Sequence, residues 1–187
     1  MNIFKSSIET AVNYIQNGEI IIIPTDTLYG FSFDAYDSKI IDKFNKLKKR
    51  KSPLSIIVDS IEMAKKYAKI DNINLVNSIL PGPFTALFYK KESILPNLIT
   101  YQSEKIGIRI PEHSFAKKIV SKLKRPITTT SVNIHGELPL KNIKNIKAAF
   151  PEIPCFEDGE LNSKGSTIID FTMNPPKIIR QGDGVLN

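Results

Sequence analysis

The sequence has no tryptophan, one cysteine (Cys155) and two histidines (His113 and His135) in 187 residues. A lone cysteine excludes an intrachain disulfide, which suits a reducing compartment. The histidines lie far apart, and no Cys/His cluster gives the spacing of a structural metal; His135 and Cys155 read as structural or surface residues. No apolar run approaches the roughly 20 residues of a membrane-spanning helix. The opening Met1-Asn2-Ile3-Phe4-Lys5 has no signal-peptide form, so a cytoplasmic protein with no membrane partner is expected. Several nucleotide and hydrolase motifs are also missing. There is no G-x-x-x-x-G-K-[ST], and Lys164-Gly165-Ser166-Thr167 carries similar letters in another order. There is no G-x-G-x-x-G after a strand, no G-x-S-x-G and no H-E-x-x-H. These absences argue against a standard P-loop enzyme, dinucleotide enzyme, serine hydrolase or zinc protease.

What is present describes a folded, basic domain. The composition is 41% hydrophobic and 24% charged, with a net charge of +7. That is globular rather than disordered, and the length suits one domain over residues 1–187. The positive field favours anionic partners, whether nucleotides, RNA or phosphates, without choosing among them.

The chain is organised around Glu19-Ile20-Ile21-Ile22-Ile23-Pro24-Thr25-Asp26-Thr27-Leu28-Tyr29-Gly30. Four isoleucines in a row suit a strand buried on both faces. Pro24 ends its ladder. Thr25, Asp26 and Thr27 follow at the carboxyl end of that strand, where open α/β sheets bind ligands, and Tyr29 and Gly30 close the turn. Asp26 reads equally as an Asx-turn residue.

The patterning predicts a helix over residues 6–17, with a capping box of Ser6 and Glu9 and a stop at Gly18. A second helix is capped by Ser38, with Ile40, Ile41, Phe44 and Leu47 inward. Leu54–Val58 is a strand, and Asp59 with Glu62 caps a helix reaching about Lys69. A short helix covers Leu75–Leu80, and Pro81-Gly82-Pro83 breaks the chain. Phe84–Tyr89 and Lys105–Ile110 are strands. Alternation in the second puts Ile106, Ile108 and Ile110 on one face and Lys105, Gly107 and Arg109 on the other. Ser114 caps a helix with Ala116, Ile119, Val120 and Leu123 inward. Pro126–Thr130 is a strand, 142–149 is weakly helical, and Thr167–Asp170 and Lys177–Arg180 are short strands before a loose tail, Gln181–Gly184. Lys91–Ser103 and Ile134–Asn142 are the candidate cavity-closing loops. Strands and helices alternate and strands then dominate, so the fold class is α/β: a single domain with a twisted, mixed β-sheet and flanking helices.

Three polar pairs stand two residues apart where extended backbone would aim both members one way: Thr25 with Thr27, Lys48 with Arg50, and Ser131 with Asn133. Lysine beside arginine suits phosphate, a point charge next to a planar fork. Serine and asparagine add neutral donors and acceptors. Each also has a plain reading: a solvated helix end for Lys48 and Arg50, turn chemistry for Ser131 and Asn133, a surface or paired arginine for Arg109 and strand-start residues for Ser166 and Thr167.

Taken together, Pro24-Thr25-Asp26-Thr27-Leu28-Tyr29-Gly30, Leu47-Lys48-Lys49-Arg50, Pro53-Leu54, Pro81-Gly82-Pro83-Phe84-Thr85, Gly107-Ile108-Arg109-Ile110-Pro111, Thr130-Ser131-Val132-Asn133, Ser166-Thr167-Ile168-Ile169-Asp170 and Ile179-Arg180-Gln181-Gly182 resemble the YrdC/TsaC family of threonylcarbamoyl-AMP synthases, in family order. The resemblance implies a twisted sheet curved around a positive cavity. It implies a nucleotidyltransferase that joins L-threonine, bicarbonate or CO2, and ATP into threonylcarbamoyl-adenylate and pyrophosphate. The downstream partner would be the tRNA threonylcarbamoyl transferase machinery. Carried over by motif, Lys48, Arg50, Ser131 and Asn133 would be catalytic and bind ATP with Arg180, while Thr27, Arg109 and Ser166 would bind threonine. Mg²⁺ would travel with ATP, and no protein metal site is expected. The segment between Arg50 and Pro53 is shorter than the family's, and an ungapped alignment would move the basic pair to Lys46 and Lys48; the motif text favours Lys48 and Arg50. The chain ends soon after Arg180, as in the short, single-domain form. A non-catalytic module binding tRNA or double-stranded RNA, and a same-fold paralogue with another carbamoyl or adenylyl substrate, are the alternatives.

Overall fold

The structure is a computed structural model that describes residues 3–93, 95–133 and 137–186. His135 and part of the Ile134–Asn142 loop lie outside the described residues. The described strands form one eight-stranded mixed sheet in the order β1-β2-β6-β3-β5-β4-β7-β8. They are β1 (Ile21–Ile23), β2 (Gly30–Ser32), β3 (Ser55–Ile57), β4 (Phe84–Tyr89), β5 (Lys105–Arg109), β6 (Ile127–Ser131), β7 (Thr167–Asp170) and β8 (Lys177–Arg180). Two pairings are parallel, β3 with β5 and β4 with β7; the others are antiparallel.

β1 is the isoleucine run, and Ile21, Ile22 and Ile23 are fully buried. Its ladder stops at Pro24, as a residue without N–H requires. β2 was not expected, because Gly30 reads as the end of a turn. It begins the return strand instead, with Ile23 opposite Gly30 and Ile21 opposite Ser32. Glycine is needed there: a Cβ on Gly30 would lie 2.8 Å from Thr129 Oγ1 on β6.

Helix α1 (Ile3–Gln16) starts before Ser6, so Ser6 is inside the helix and is not its cap. Ile8, Ala11, Val12 and Ile15 form its buried face, and Gly18 ends it at φ 73°. Helix α2 (Ser38–Leu47) is capped by Asp37 rather than Ser38; the Asp37 carboxylate accepts from Lys39 N and Ile40 N. The longer reach of aspartate serves both orphan N–H groups. Leu47 is 58% exposed and not inward. Lys48, four residues after Phe44, takes the inward position, and its ammonium sits 5.3 Å from the Phe31 ring centroid and 5.8 Å from that of Phe150.

Ser60, not Asp59, caps α3 (Ile61–Ala64), with its Oγ accepting from Met63 N; the α-helix is shorter than expected. Asn72 caps α4 (Ile73–Asn77), and α5 (Asn97–Thr100) lies inside the supposed loop 91–103. His113, not Ser114, is the N-cap position of α6 (Ser114–Leu123), without a side-chain cap bond. Its four expected inward residues are all buried. Asn142 caps α7 (Ile143–Ala149). Cys155 forms an isolated bridge with Ile22 and packs on the core, where burial pushes its thiol up to about 11.

The tail is tied rather than loose. Gly182 N donates to Thr167 Oγ1 at 2.9 Å, Thr167 Oγ1 donates to Gly184 O at 2.7 Å and Asp183 N donates to Gly165 O at 2.9 Å. These bonds fasten the chain after β8 to β7.

Asp170 ends β7 and receives a hydrogen bond from Lys105 Nζ at 2.6 Å and from Thr172 Oγ1 at 2.6 Å. Burial pushes its carboxyl up, but these donors and the Thr172 N–H outweigh burial and hold it below its ordinary 3.8. The stabilisation is therefore full above 3.8 and is lost as pH falls through the lower folded value. In urea unfolding, Asp170→Asn is expected to be less stable than the parent at neutral pH. That gap should shrink below pH 3.8.

Candidate active site

The face of β5 that carries Lys105, Gly107 and Arg109 forms the floor of a cavity of about 470 Å³. Neighbouring strands add Ser55, Thr85, Leu87, Thr129 and Ile168, and the loop after β1 adds Thr27, Leu28 and Tyr29. Arg50, Ser131, Ser166 and Arg180 complete the polar wall with Lys164. Basic side chains thus enter from several segments, at Arg50, Lys105, Arg109, Lys164 and Arg180, and no described lining residue is acidic. Ionised carboxylates stand behind the lining: Asp170 at Lys105 and Asp26 at Arg109.

Arg109 is the most deeply set of these cations, with 7% of its surface exposed. One nitrogen, Nη2, donates to Asp26 Oδ1 at 2.6 Å and to Thr27 Oγ1 at 3.0 Å. Its Nε is buried and has no hydrogen-bond partner. Burial, with the Arg180 charge, lowers the guanidinium below its ordinary value against the pull of Asp26. Burial likewise raises the Asp26 carboxyl, against Arg109 and the Glu112 N–H. At 2.6 Å, with that N–H donating to Oδ2 at 3.0 Å, the pair stays charged at neutral pH.

The threonines extend this network. Thr25 Oγ1 donates to Leu28 O at 2.8 Å, so its contact with Thr27 Oγ1 at 3.1 Å has Thr27 as the donor. Thr27 accepts from Arg109 and donates to Thr25, which leaves one lone pair at the cavity. Thr25 is buried and serves Thr27; it is not part of the described lining. On the opposite wall, Ser166 Oγ and Thr85 Oγ1 share a hydrogen bond of 2.8 Å. Arg180 Nη2 donates to Ser166 O at 2.8 Å and to Ser166 Oγ at 3.2 Å.

The Lys48 and Arg50 pair is splayed rather than parallel. The helix ends at Leu47, and Lys49 adopts a left-handed φ of 46°. Lys48 Nζ donates to the Asn133 carbonyl and, at 3.3 Å, to Asn133 Oδ1. Arg50 turns to the cavity, where Nη1 donates to Thr130 Oγ1 at 3.2 Å and Nη2 to Pro53 O at 2.5 Å. Burial first, then the Arg50 charge, holds the Lys48 ammonium below its ordinary 10.5. Lys46 is exposed and pairs with Asp42 at 2.6 Å, which leaves Lys48 and Arg50 as the basic pair next to Ser131 and Asn133.

The structure therefore brings Thr27, Arg50, Arg109, Ser131, Ser166 and Arg180 onto one cavity and places Lys48 and Asn133 together beside it. Thr85, Lys105 and Lys164 were assigned no site role from sequence, and Asp26 was weighed there as an Asx-turn residue. Lys105 was within reach, since the alternation of β5 already put it on the face of Arg109.

A family profile described as "Telomere recombination" (Sua5, YciO, YrdC) matches residues 13–182. The chain belongs to the Sua5/YciO/YrdC family. It is 31% identical over 183 residues to the threonylcarbamoyl-AMP synthase of Pyrococcus abyssi, spanning 94% of this chain but 54% of that protein. A Methanocaldococcus jannaschii protein provisionally assigned the same activity is 34% identical over 189 residues, which cover 97% of this chain and 87% of the relative. Among solved structures, P. abyssi Sua5 complexed with L-threonine superposes with a TM-score of 0.86 at 30% identity, over 95% of this chain and 54% of that one. E. coli YciO superposes with a TM-score of 0.89 at 22% identity, over 97% and 91% of the two chains; this likeness concerns the fold. The mixed sheet brings motifs scattered from Thr27 to Arg180 onto one cavity.

The tail closes one wall of this cavity. A Cβ on Gly182 would lie 2.2 Å from Gly165 O and 2.7 Å from Ser166 O, which are backbone atoms that cannot rotate away. Gly182→Ala is expected to displace the Gly165–Ser166 wall, lowering the thermal midpoint and weakening ligand binding together. An unchanged midpoint with unchanged nucleotide binding would contradict this.

Proposed function

We propose that the protein is an L-threonylcarbamoyladenylate synthase, a nucleotidyltransferase that joins L-threonine, bicarbonate or CO2, and ATP, releasing pyrophosphate. The observation that carries this reading is the convergence of Arg50, Arg109 and Arg180 with Thr27, Ser131 and Ser166 on one small-molecule-sized cavity. The relatives named for this activity and the threonine complex of P. abyssi Sua5 support it.

Arg109 takes the threonine carboxylate with Nη1, and the free lone pair of Thr27 accepts from the amine. Ser166, held by Arg180, lies across from them. The neutral amine adds to CO2 and loses a proton to solvent, or condenses with bicarbonate with loss of water, to give a carbamate. A carbamate oxygen attacks the α-phosphate of ATP, the bond to the β-phosphate bridging oxygen breaks and pyrophosphate departs. Arg50 and Lys48, with Ser131, Asn133 and Arg180, hold the nucleotide and offset the negative charge that grows on the leaving group. The work is orientation and electrostatics, with no covalent nucleophile. Among the described residues, no three His, Cys, Asp or Glu side chains gather to hold a metal ion, so Mg²⁺ enters as part of the MgATP substrate.

The product would pass to the tRNA threonylcarbamoyl transferase machinery, in the cytoplasm. No described helix is long and apolar enough to cross a membrane. Five basic side chains, Arg50, Lys105, Arg109, Lys164 and Arg180, enter one cavity, which favours the synthase over a module that only binds tRNA or double-stranded RNA.

Lys48→Ala and Arg50→Ala are each expected to remove threonine-dependent pyrophosphate release while the fold persists, as read by circular dichroism. Unchanged turnover in both would contradict the assignment. In the parent, ATP affinity should fall as pH rises through a value below 10.5, because Lys48 binds phosphate only when protonated. Lys48→Arg should flatten that profile.

A further inference from the structure

We infer that Asp26 is a positioning residue for the amino-acid substrate: it holds Nη2 of Arg109 inward so that Nη1 is presented to the substrate carboxylate. This inference rests on the synthase reading of the cavity.

The geometry is a clamp with two acceptors. Asp26 Oδ1 takes Arg109 Nη2 at 2.6 Å, and Oδ2 takes the Glu112 N–H at 3.0 Å. The first bond fixes the side chain, and the second fixes the backbone just past β5. Thr27 Oγ1 takes the same Nη2 at 3.0 Å. Both hydrogens of that nitrogen are therefore used inside the protein. Nε is buried, which leaves Nη1 as the nitrogen that can meet the substrate carboxylate. Asp26 itself is not in the described lining, so it acts through Arg109 rather than on the substrate.

A charge argument alone predicts the opposite effect. The Arg180 charge already acts on Arg109. Removing a negative charge from beside the two guanidiniums would make the site more positive and tighten carboxylate binding. A positioning role predicts weaker binding, because an unclamped guanidinium turns and the Glu112 anchor is lost. The sign of the change in KM for threonine separates the two.

Threonine-dependent pyrophosphate release is the readout, in the full chain with MgATP and bicarbonate. Asp26→Asn keeps shape and one acceptor but loses the charge and the Glu112 bond. It is expected to raise KM for threonine about ten- to a hundredfold, with KM for ATP within about twofold, the range set by one charge-assisted hydrogen bond. Asp26→Glu, which keeps the charge and misplaces it, should do the same. Asp26→Asn in an Arg109→Gln background should cost nothing further, since Asp26 acts only through Arg109. This double variant also removes both buried charges together, so it keeps the test valid if Asp26→Asn alone folds poorly. A fall or no change in KM for threonine, an equal rise in KM for ATP, or a further loss in the double variant would overturn the inference while the synthase reading stands. No threonine-dependent release from the parent would overturn both.

Discussion

A guanidinium taken out of water keeps its charge only if something nearby compensates it, and in this protein the constraint falls on Arg109. It sits at the end of β5 with 7% of its surface exposed. Its carboxylate partner comes from Asp26, in the turn that follows β1. The turn and the strand are far apart in sequence, and β2, β6 and β3 lie between β1 and β5 in the sheet, so the pair joins two distant parts of the fold. Thr25, Thr27, Asp26 and Glu112 then make one hydrogen-bonded unit around that charge. The remaining cations are placed around the same cavity by other means: Arg180 by the backbone of Ser166, and Arg50 by Thr130 and Pro53.

The two-residue period of β5 builds the floor of the site. Side chains on the apolar face of β5, Ile106, Ile108 and Ile110, are buried in the core. Those on the other face, Lys105, Gly107 and Arg109, meet the cavity. Ser55 on β3 and Leu87 on β4 stand opposite Gly107 in register, so the middle of the floor stays shallow between two basic ends. A larger residue at position 107 would strike Ser55 Oγ at 2.7 Å.

Much of this was legible before the fold was known, because period and composition act locally. The isoleucine run announced β1, alternation announced both faces of β5, and the boundaries of β7 and β8 followed from short β-branched runs. Capping was read one residue off at Ser38, Asp59 and Ser114, because adjacent residues compete for one cap and backbone geometry decides between them. Leu47 was misplaced because helical periodicity does not know that a helix stops; Lys48 filled the inward position once a pair of aromatic rings was there to receive its ammonium. The tail looked loose because its anchors, Thr167 and Gly165, are distant in sequence. Asp26 was read as a turn residue for the same reason: nothing local in Thr25-Asp26-Thr27 reveals an arginine that is brought beside it only by the tertiary fold. The residues singled out through the family resemblance, Thr27, Arg50, Arg109, Ser131, Ser166 and Arg180, line one cavity, but the resemblance could not show that Lys48 and Arg50 point apart.

The central claim is that this cavity assembles three substrates by position and charge. It is tested most directly by pyrophosphate release from the purified protein with MgATP, leaving out threonine and bicarbonate in turn. The account predicts release only when both are present, with threonylcarbamoyl-adenylate appearing in equal amount by mass spectrometry. Release that needs neither, or ATP binding without any release, would contradict it.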